Sequence, residues 1–95
     1  MNTEPVDLSV VIPAYNEEKR IESALDNILA YFGRTSTRFE LILVDDGSSD
    51  RTVEVSAQKL VSTRHQILRN FKNEGKGFSV RRGILAAEGD IILFT

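Results

Sequence analysis

Apolar residues fall along this chain in two alternating patterns: short unbroken runs, and longer stretches in which they recur every three or four positions. The runs are 8–13 (Leu-Ser-Val-Val-Ile-Pro), 39–44 (Phe-Glu-Leu-Ile-Leu-Val), a weaker one at 66–70, and 91–95. Runs without polar alternation suit strands covered on both faces. Pro13 cannot donate to a ladder, so the first strand is expected to end there. Between the runs, Ile21, Ala24, Leu25, Ile28, Leu29 and Phe32 form one helical stripe in a helix expected over 17–32. Asn16 suits its N-cap, with Glu17 and Glu18 in the first turn and Gly33 at C′. A second helix, capped by Ser49 or Asp50 and running to about Thr63, is expected to bury Val53, Ala57, Leu60 and Val61. A third, over 78–88, carries Val80, Ile84 and Ala87, with Gly89 at C′. Residues 1–7 read as a loose lead-in and Arg34–Arg38 as a polar loop.

The order β-α-β-α-β-α-β with short connections predicts an α/β fold, a Rossmann-like open parallel sheet. Right-handed crossovers and a strand order of 3-2-1-4 would put a switch point between strands one and four. Three polar corners then lie at one sheet edge: 13–17, 45–50 and 71–77. That edge is where open α/β sheets take ligands.

Each corner has a chemistry and a plainer alternative. Asp45 and Asp46 could accept hydrogen bonds from a base or sugar, or ligate a hard cation; they could equally organise an Asx turn and cap the next helix. Asn73-Glu74-Gly75-Lys76-Gly77 offers unhindered amides and an ammonium to a diphosphate, though it has neither Walker spacing nor the third glycine of the dinucleotide fingerprint. Tyr15 could stack on a base and Glu17 could hold ribose hydroxyls. His65 stands alone and reads as a surface residue, and Asp90 as part of the turn before strand four.

Composition narrows the class. The 95 residues are 41% apolar and 27% charged, a globular balance with a modest core. No cysteine is present, which excludes disulfides and thiolate metal sites. No apolar stretch is long enough to span a bilayer and no signal pattern opens the chain, so a cytoplasmic location is expected. Net charge is −2, yet Arg64, Arg69, Lys72, Lys76, Arg81 and Arg82 face only Glu74 between 64 and 82. Such a segment can attract phosphates, but without interleaved aromatics it does not suggest nucleic acid.

Four motifs in series carry a resemblance: Ser9–Glu17, Val44–Thr52, Asn73–Gly77 and Ala86–Phe94. Together they look like the N-terminal half of a family 2 glycosyltransferase, similar to the dolichyl- or polyprenyl-phosphate hexose transferases and in particular their glucosyl branch. The resemblance implies a GT-A fold, a nucleoside-diphosphate sugar donor (UDP- or GDP-linked) and a divalent metal, Mg²⁺ or Mn²⁺. It implies that Pro13 and Tyr15 line the base, with Glu17 near base or ribose. Asp46 would accept from the base with Asp45 beside it, and Gly75, Lys76 and Gly77 would lie near the nucleotide. Arg81 is a further phosphate candidate. The family's Asp-x-Asp metal motif would follow Thr95 directly, so neither metal ligands nor a catalytic base is expected within these residues. The chain thus reads as a single, partial donor-binding domain, inactive alone. The resemblance implies a parent that passes a hexose to an acceptor such as a polyprenyl phosphate, with membrane association on the cytoplasmic face. Self-association through an exposed strand four is also expected. A receiver-like signalling module and a non-catalytic interaction domain are the alternatives.

Overall fold

The structure, a computed structural model, describes residues 4–95. The elements are β1 (Leu8–Ala14), α1 (Ile21–Phe32), β2 (Phe39–Asp45), α2 (Thr52–Lys59), β3 (His65–Arg69), α3 (Lys76–Ala86) and β4 (Ile91–Phe94). The four strands form one parallel sheet in the order β3-β2-β1-β4, as expected.

β1 continues through Pro13 to Ala14, one residue past its expected end. The Ala14 carbonyl accepts from Asp46 N–H on the β2 side, whereas the Val11 carbonyl accepts from Thr95 N–H on the β4 side. Backbone groups alternate sides along a strand, so residue 13 faces β4. There β4 pairs β1 only from Leu8 to Val11. The donor that proline lacks therefore falls on the β4 side, and the β2 ladder is left intact.

One sheet face is packed by α1 and α2. Its buried cluster comprises Leu8, Val10, Ile12, Ala14, Ile21, Leu25, Leu41, Leu43 and Leu60. The opposite face, under α3, buries only Val11, Ile42 and Val44 as apolar side chains, with Leu68, Ala86, Ala87 and Ile92 packed against them. Ser79 and Gly83 are the fully or nearly buried positions of α3, while Ile84 and Leu85 are exposed. Of the expected stripe of Val80, Ile84 and Ala87, Ala87 packs against the sheet, Val80 is half-buried and Ile84 is exposed, so the face that meets the sheet runs through Ser79 and Gly83 instead. A Cβ on Gly83 would lie 2.3 Å from Val11 Cγ1, so only a small residue lets the helix approach this closely. On the same face a buried Glu40 accepts from the Ser9 hydroxyl (2.6 Å) and from Glu88 N–H (2.8 Å).

Several expected boundaries also move. α1 starts at Ile21 rather than Glu17, because Asn16 takes positive φ (50°) and its side chain bonds across to another loop. α2 ends at Lys59, leaving Val61 78% exposed and Ala57 exposed; Val55 and Ser56 face inward beside Leu60. Asp50 does hold the start of α2, accepting from Thr52 N–H at 3.0 Å. β3 begins at His65, which is half-buried with Nδ1 2.7 Å from the Thr63 carbonyl, rather than free on the surface. Gly33 and Gly89 do not take the left-handed conformation expected at C′; the glycines that do are Gly47 and Gly75. Of the loose lead-in expected over 1–7, residues 1–3 lie outside the described residues. Val6 is buried, and Asp7 pairs with Arg38 at 3.2 Å.

Candidate functional site

The carboxyl ends of β1, β2 and β3 open into a cleft of about 510 Å³. It is lined by Pro13, Ala14, Tyr15, Glu17, Asp46, Asn73, Gly75, Lys76, Ser79 and Thr95. Three distant loops thus converge. Six of the nine residues proposed from sequence line it: Pro13, Tyr15, Glu17, Asp46, Gly75 and Lys76. The other three do not. Asp45 is fully buried and does not line the cleft, and Gly77 and Arg81 are exposed on α3 without lining it.

The wall formed by residues 15–20 is stitched to the turn after β2. Asn16 N–H donates to Ser48 Oγ (2.8 Å), and Asn16 Oδ1 accepts from Ser49 N–H (2.9 Å). Glu17 N–H donates to Thr52 Oγ1 (2.8 Å), and the Thr52 hydroxyl donates in turn to Asp50. Thr52 holds the Asp50 carboxyl below its ordinary value against a small burial cost. Glu17 also ion-pairs with Arg20 at 2.9 Å. Tyr15, 47% exposed, projects from this braced wall and leaves a ring face available for stacking.

Asp45 and Asp46 are adjacent in sequence but serve opposite faces. Asp45 pairs in register with Ala14 and so points toward α1 and α2. Its Oδ2 accepts from Ser48 N–H at 3.0 Å and lies 3.5 Å from Arg69 Nε. Its buried Oδ1 has no hydrogen-bond partner among the described residues. Asp45 organises the turn.

Asp46 points the other way and shapes the opposite wall. Its Oδ1 accepts from Asn70 Nδ2 (2.8 Å) and Glu74 N–H (2.7 Å), and its Oδ2 from Gly75 N–H (2.9 Å). Burial would raise its pKa, but the bonds from Glu74, Asn70, Gly75 and Ser79 outweigh that cost and hold it below the ordinary 3.8. The loop it grips needs two unusual glycines. Gly47 (φ 78°) passes under residues 72–73, where a Cβ would come within 2.6 Å of the Lys72 carbonyl carbon. Gly75 (φ 97°) turns the chain into α3, placing Lys76 in the first helical turn. The backbone donors of that turn lack intrahelical acceptors, and the helix dipole adds positive potential beside the ammonium. Phosphate oxygens suit such a corner.

Sequence reasoning did not single out Asn73, Ser79 or Thr95 as lining residues, nor Asn70 behind them. Ser79 carried a signal: it lies one turn after Gly75, on the face that meets the sheet. Among the described residues no group of three or more acidic, histidine or cysteine side chains converges to hold a metal ion. Asp46 already spends its oxygens on the chain's own donors. The residues present do not fit a divalent cation. Also among the described residues, no helix is long and apolar enough to cross a membrane.

Comparison with known proteins follows the same outline. The chain is 42% identical over 94 residues to human dolichyl-phosphate beta-glucosyltransferase, covering 90% of this chain and 29% of that enzyme. It superposes on Staphylococcus aureus TarS 1–349 in complex with UDP at TM-score 0.83 and 31% identity, over 95% of this chain and 27% of that one. It also matches Mycobacterium tuberculosis glucosyl-3-phosphoglycerate synthase in complex with Mn²⁺, UDP-glucose and phosphoglyceric acid. That likeness has TM-score 0.75 and 29% identity, over 95% of this chain and 32% of that one. The chain therefore spans about a third of the length of the proteins it resembles. Its sheet is the Rossmann-like, nucleotide-binding half of a GT-A fold, and it is related to the dolichyl-phosphate hexose transferases. With residues 9–95 matching the family's model, the chain belongs to glycosyl transferase family 2.

Proposed function

We propose that the cleft binds the nucleotide of a nucleoside-diphosphate sugar, UDP- or GDP-linked, within a hexosyltransferase whose acceptor is a lipid phosphate such as a polyprenyl phosphate. The observation that carries this reading is the convergence of Pro13, Tyr15, Glu17, Asp46, Gly75 and Lys76 from three loops on one cleft. Tyr15 stacks on the base beside Pro13, Glu17 takes ribose hydroxyls, and Lys76 with the α3 N-terminus meets the diphosphate. The UDP held by TarS and the UDP-glucose held by the mycobacterial synthase support the donor class. The dolichyl-phosphate relatives support the acceptor class; a cytoplasmic-face location is part of the same proposal. A metal such as the Mn²⁺ of the mycobacterial complex would neutralise the departing diphosphate, but it needs ligands that the described residues do not supply. The domain accordingly binds donor and does not by itself turn it over.

Titrating UDP into isotope-labelled protein tests the reading. The expected result is weak, about millimolar binding with shifts at Tyr15, Asp46 and Lys76, weakened further by Lys76→Met, and no sugar transfer. Immobility of all three residues at saturating ligand would overturn it.

β4 supports self-association as a second property. Ile91, Leu93 and Phe94 are 61%, 47% and 60% exposed on an edge strand. Light scattering should show concentration-dependent oligomers that Leu93→Lys abolishes; a strictly monomeric chain at high concentration would refute this.

A further inference from the structure

Behind the cleft, and not among its lining residues, the half-buried Arg82 and the buried Asn70 form a polar relay. Asn70 is 4% exposed, and its side chain is used at both ends. Nδ2 donates to Asp46 Oδ1 (2.8 Å) and to Ser79 Oγ (2.9 Å), while Oδ1 accepts from Arg82 Nη1 (2.9 Å). Its backbone N–H is fixed as well, on the Asp45 carbonyl at 2.8 Å.

An amide side chain can point either its oxygen or its NH₂ group at a given neighbour, and the wrong orientation here would set a carbonyl against the Asp46 carboxylate. Arg82 removes that choice. A guanidinium only donates, so whatever faces it must accept, and the amide oxygen is turned toward Arg82. Both Nδ2 hydrogens are thereby directed at the two side chains that line the cleft. Asp46 in turn grips Glu74 and Gly75 N–H, which sets where Lys76 begins α3.

We infer that Arg82, acting through Asn70, is a positioning residue for donor binding: it fixes the Asp46 carboxylate and the Ser79 hydroxyl, and with them the Gly75–Lys76 corner, without touching the ligand. The inference rests on the donor reading given above. It distinguishes Arg82 from its neighbour Arg81, which is exposed and makes no such bond.

The experiment measures UDP affinity, melting temperature and the carbon-detected titration of the Asp46 carboxyl in wild type, Arg82→Met, Arg82→Lys, Asn70→Ala and the Arg82→Met/Asn70→Ala double variant. Arg82→Met should weaken UDP about tenfold, the scale of one hydrogen bond to a charged group. It should also move the Asp46 titration midpoint upward and lower the melting temperature, since the buried Asn70 Oδ1 loses its donor; the Asp46 midpoint is the readout that a merely structural loss would not move. Arg82→Lys, which keeps a cationic donor, should recover part of both. The double variant should bind no worse than Asn70→Ala alone, since the two act in series. Arg81→Met, measured alongside, should leave the Asp46 midpoint in place. Wild-type-like affinity and titration in Arg82→Met would overturn the inference, as would strictly additive losses in the double variant. Failure of the wild type to bind UDP would overturn the donor reading and this use of the relay together. Binding by wild type and Arg82→Met alike would overturn only the positioning role.

Discussion

The two faces of the sheet are built on different principles. Under α1 and α2, nine buried side chains form a continuous apolar layer, and the buried polar groups beside it are Asp45 at its upper rim, Ser48 in the turn, and Thr52 and Ser56 on α2, where the Ser56 hydroxyl is satisfied by the Thr52 carbonyl. Under α3 there are three buried aliphatic side chains, a glycine in contact with a valine, and two polar assemblies, Ser9–Glu40 at one end and Asp46–Asn70–Ser79 at the other. The first face supplies stability and the second supplies geometry. Apolar burial is non-directional and tolerant of small shifts, whereas a hydrogen-bonded cluster fixes atoms in place and is costly when one member is removed.

That contrast can be broken at either face. Leu25→Ala, at a fully buried position of the apolar layer, should cost about 2–5 kcal/mol by denaturant unfolding while leaving the cleft's geometry intact in the fraction that remains folded. Glu40→Ala strands the Ser9 hydroxyl and Glu88 N–H and should cost about 1–3 kcal/mol. Glu40→Gln, which keeps an acceptor, should cost clearly less. Gly83→Ala is smaller but more telling. Helix propensity favours alanine by about 1 kcal/mol, yet the 2.3 Å approach to Val11 Cγ1 predicts overpacking of about 1–3 kcal/mol. The melting temperature should fall, not rise.

Acid sharpens the comparison further. Asp46 has a folded-state pKa depressed below 3.8. Its stabilising contribution is complete above that value and is lost as pH falls through the lower, folded one. Asp50 shifts in the same direction, so the two carboxylates share the acid limb. Unfolding midpoints measured from pH 5 downward should decline less steeply in Asp46→Asn than in wild type. The smallest effect belongs to the surface: half-buried Lys59 bridges the exposed Glu22 and Asp26, and Lys59→Met, which keeps the packed stem, should leave the unfolding midpoint essentially unchanged.

The same contrast explains which features were legible in the sequence. The strands, their order and the α1 stripe follow from apolar runs and helical spacing, because the face they build is governed by hydrophobic burial. The inner face of α3 does not follow from the spacing of its apolar residues, because close helix-to-sheet contact selects the small Ser79, Gly83 and Ala86. The start of α1 was misplaced because Asn16 has a cap's chemistry but spends it on Ser49, a partner 33 positions away that no local rule can see. The cleft was largely readable, since polar corners at strand ends announce themselves. The division of labour within Asp45-Asp46 was not: strand alternation sends the two carboxylates to opposite sides, and only the end point of β2 decides which is which. Arg82 stands out in the sequence only as one of six bases between 64 and 82, and nothing there links it to Asn70, because a relay behind a site is defined by three-dimensional adjacency.

Pro13 has one more consequence. Any polypeptide running alongside β1 past Val11 meets, at the next inward-facing residue, a nitrogen with nothing to offer. The ladder on that side forgoes one rung there, while the β2 side keeps its pairing through Ala14. A single ring closure in the backbone thus makes the two flanks of β1 unequal at the edge where the cleft opens.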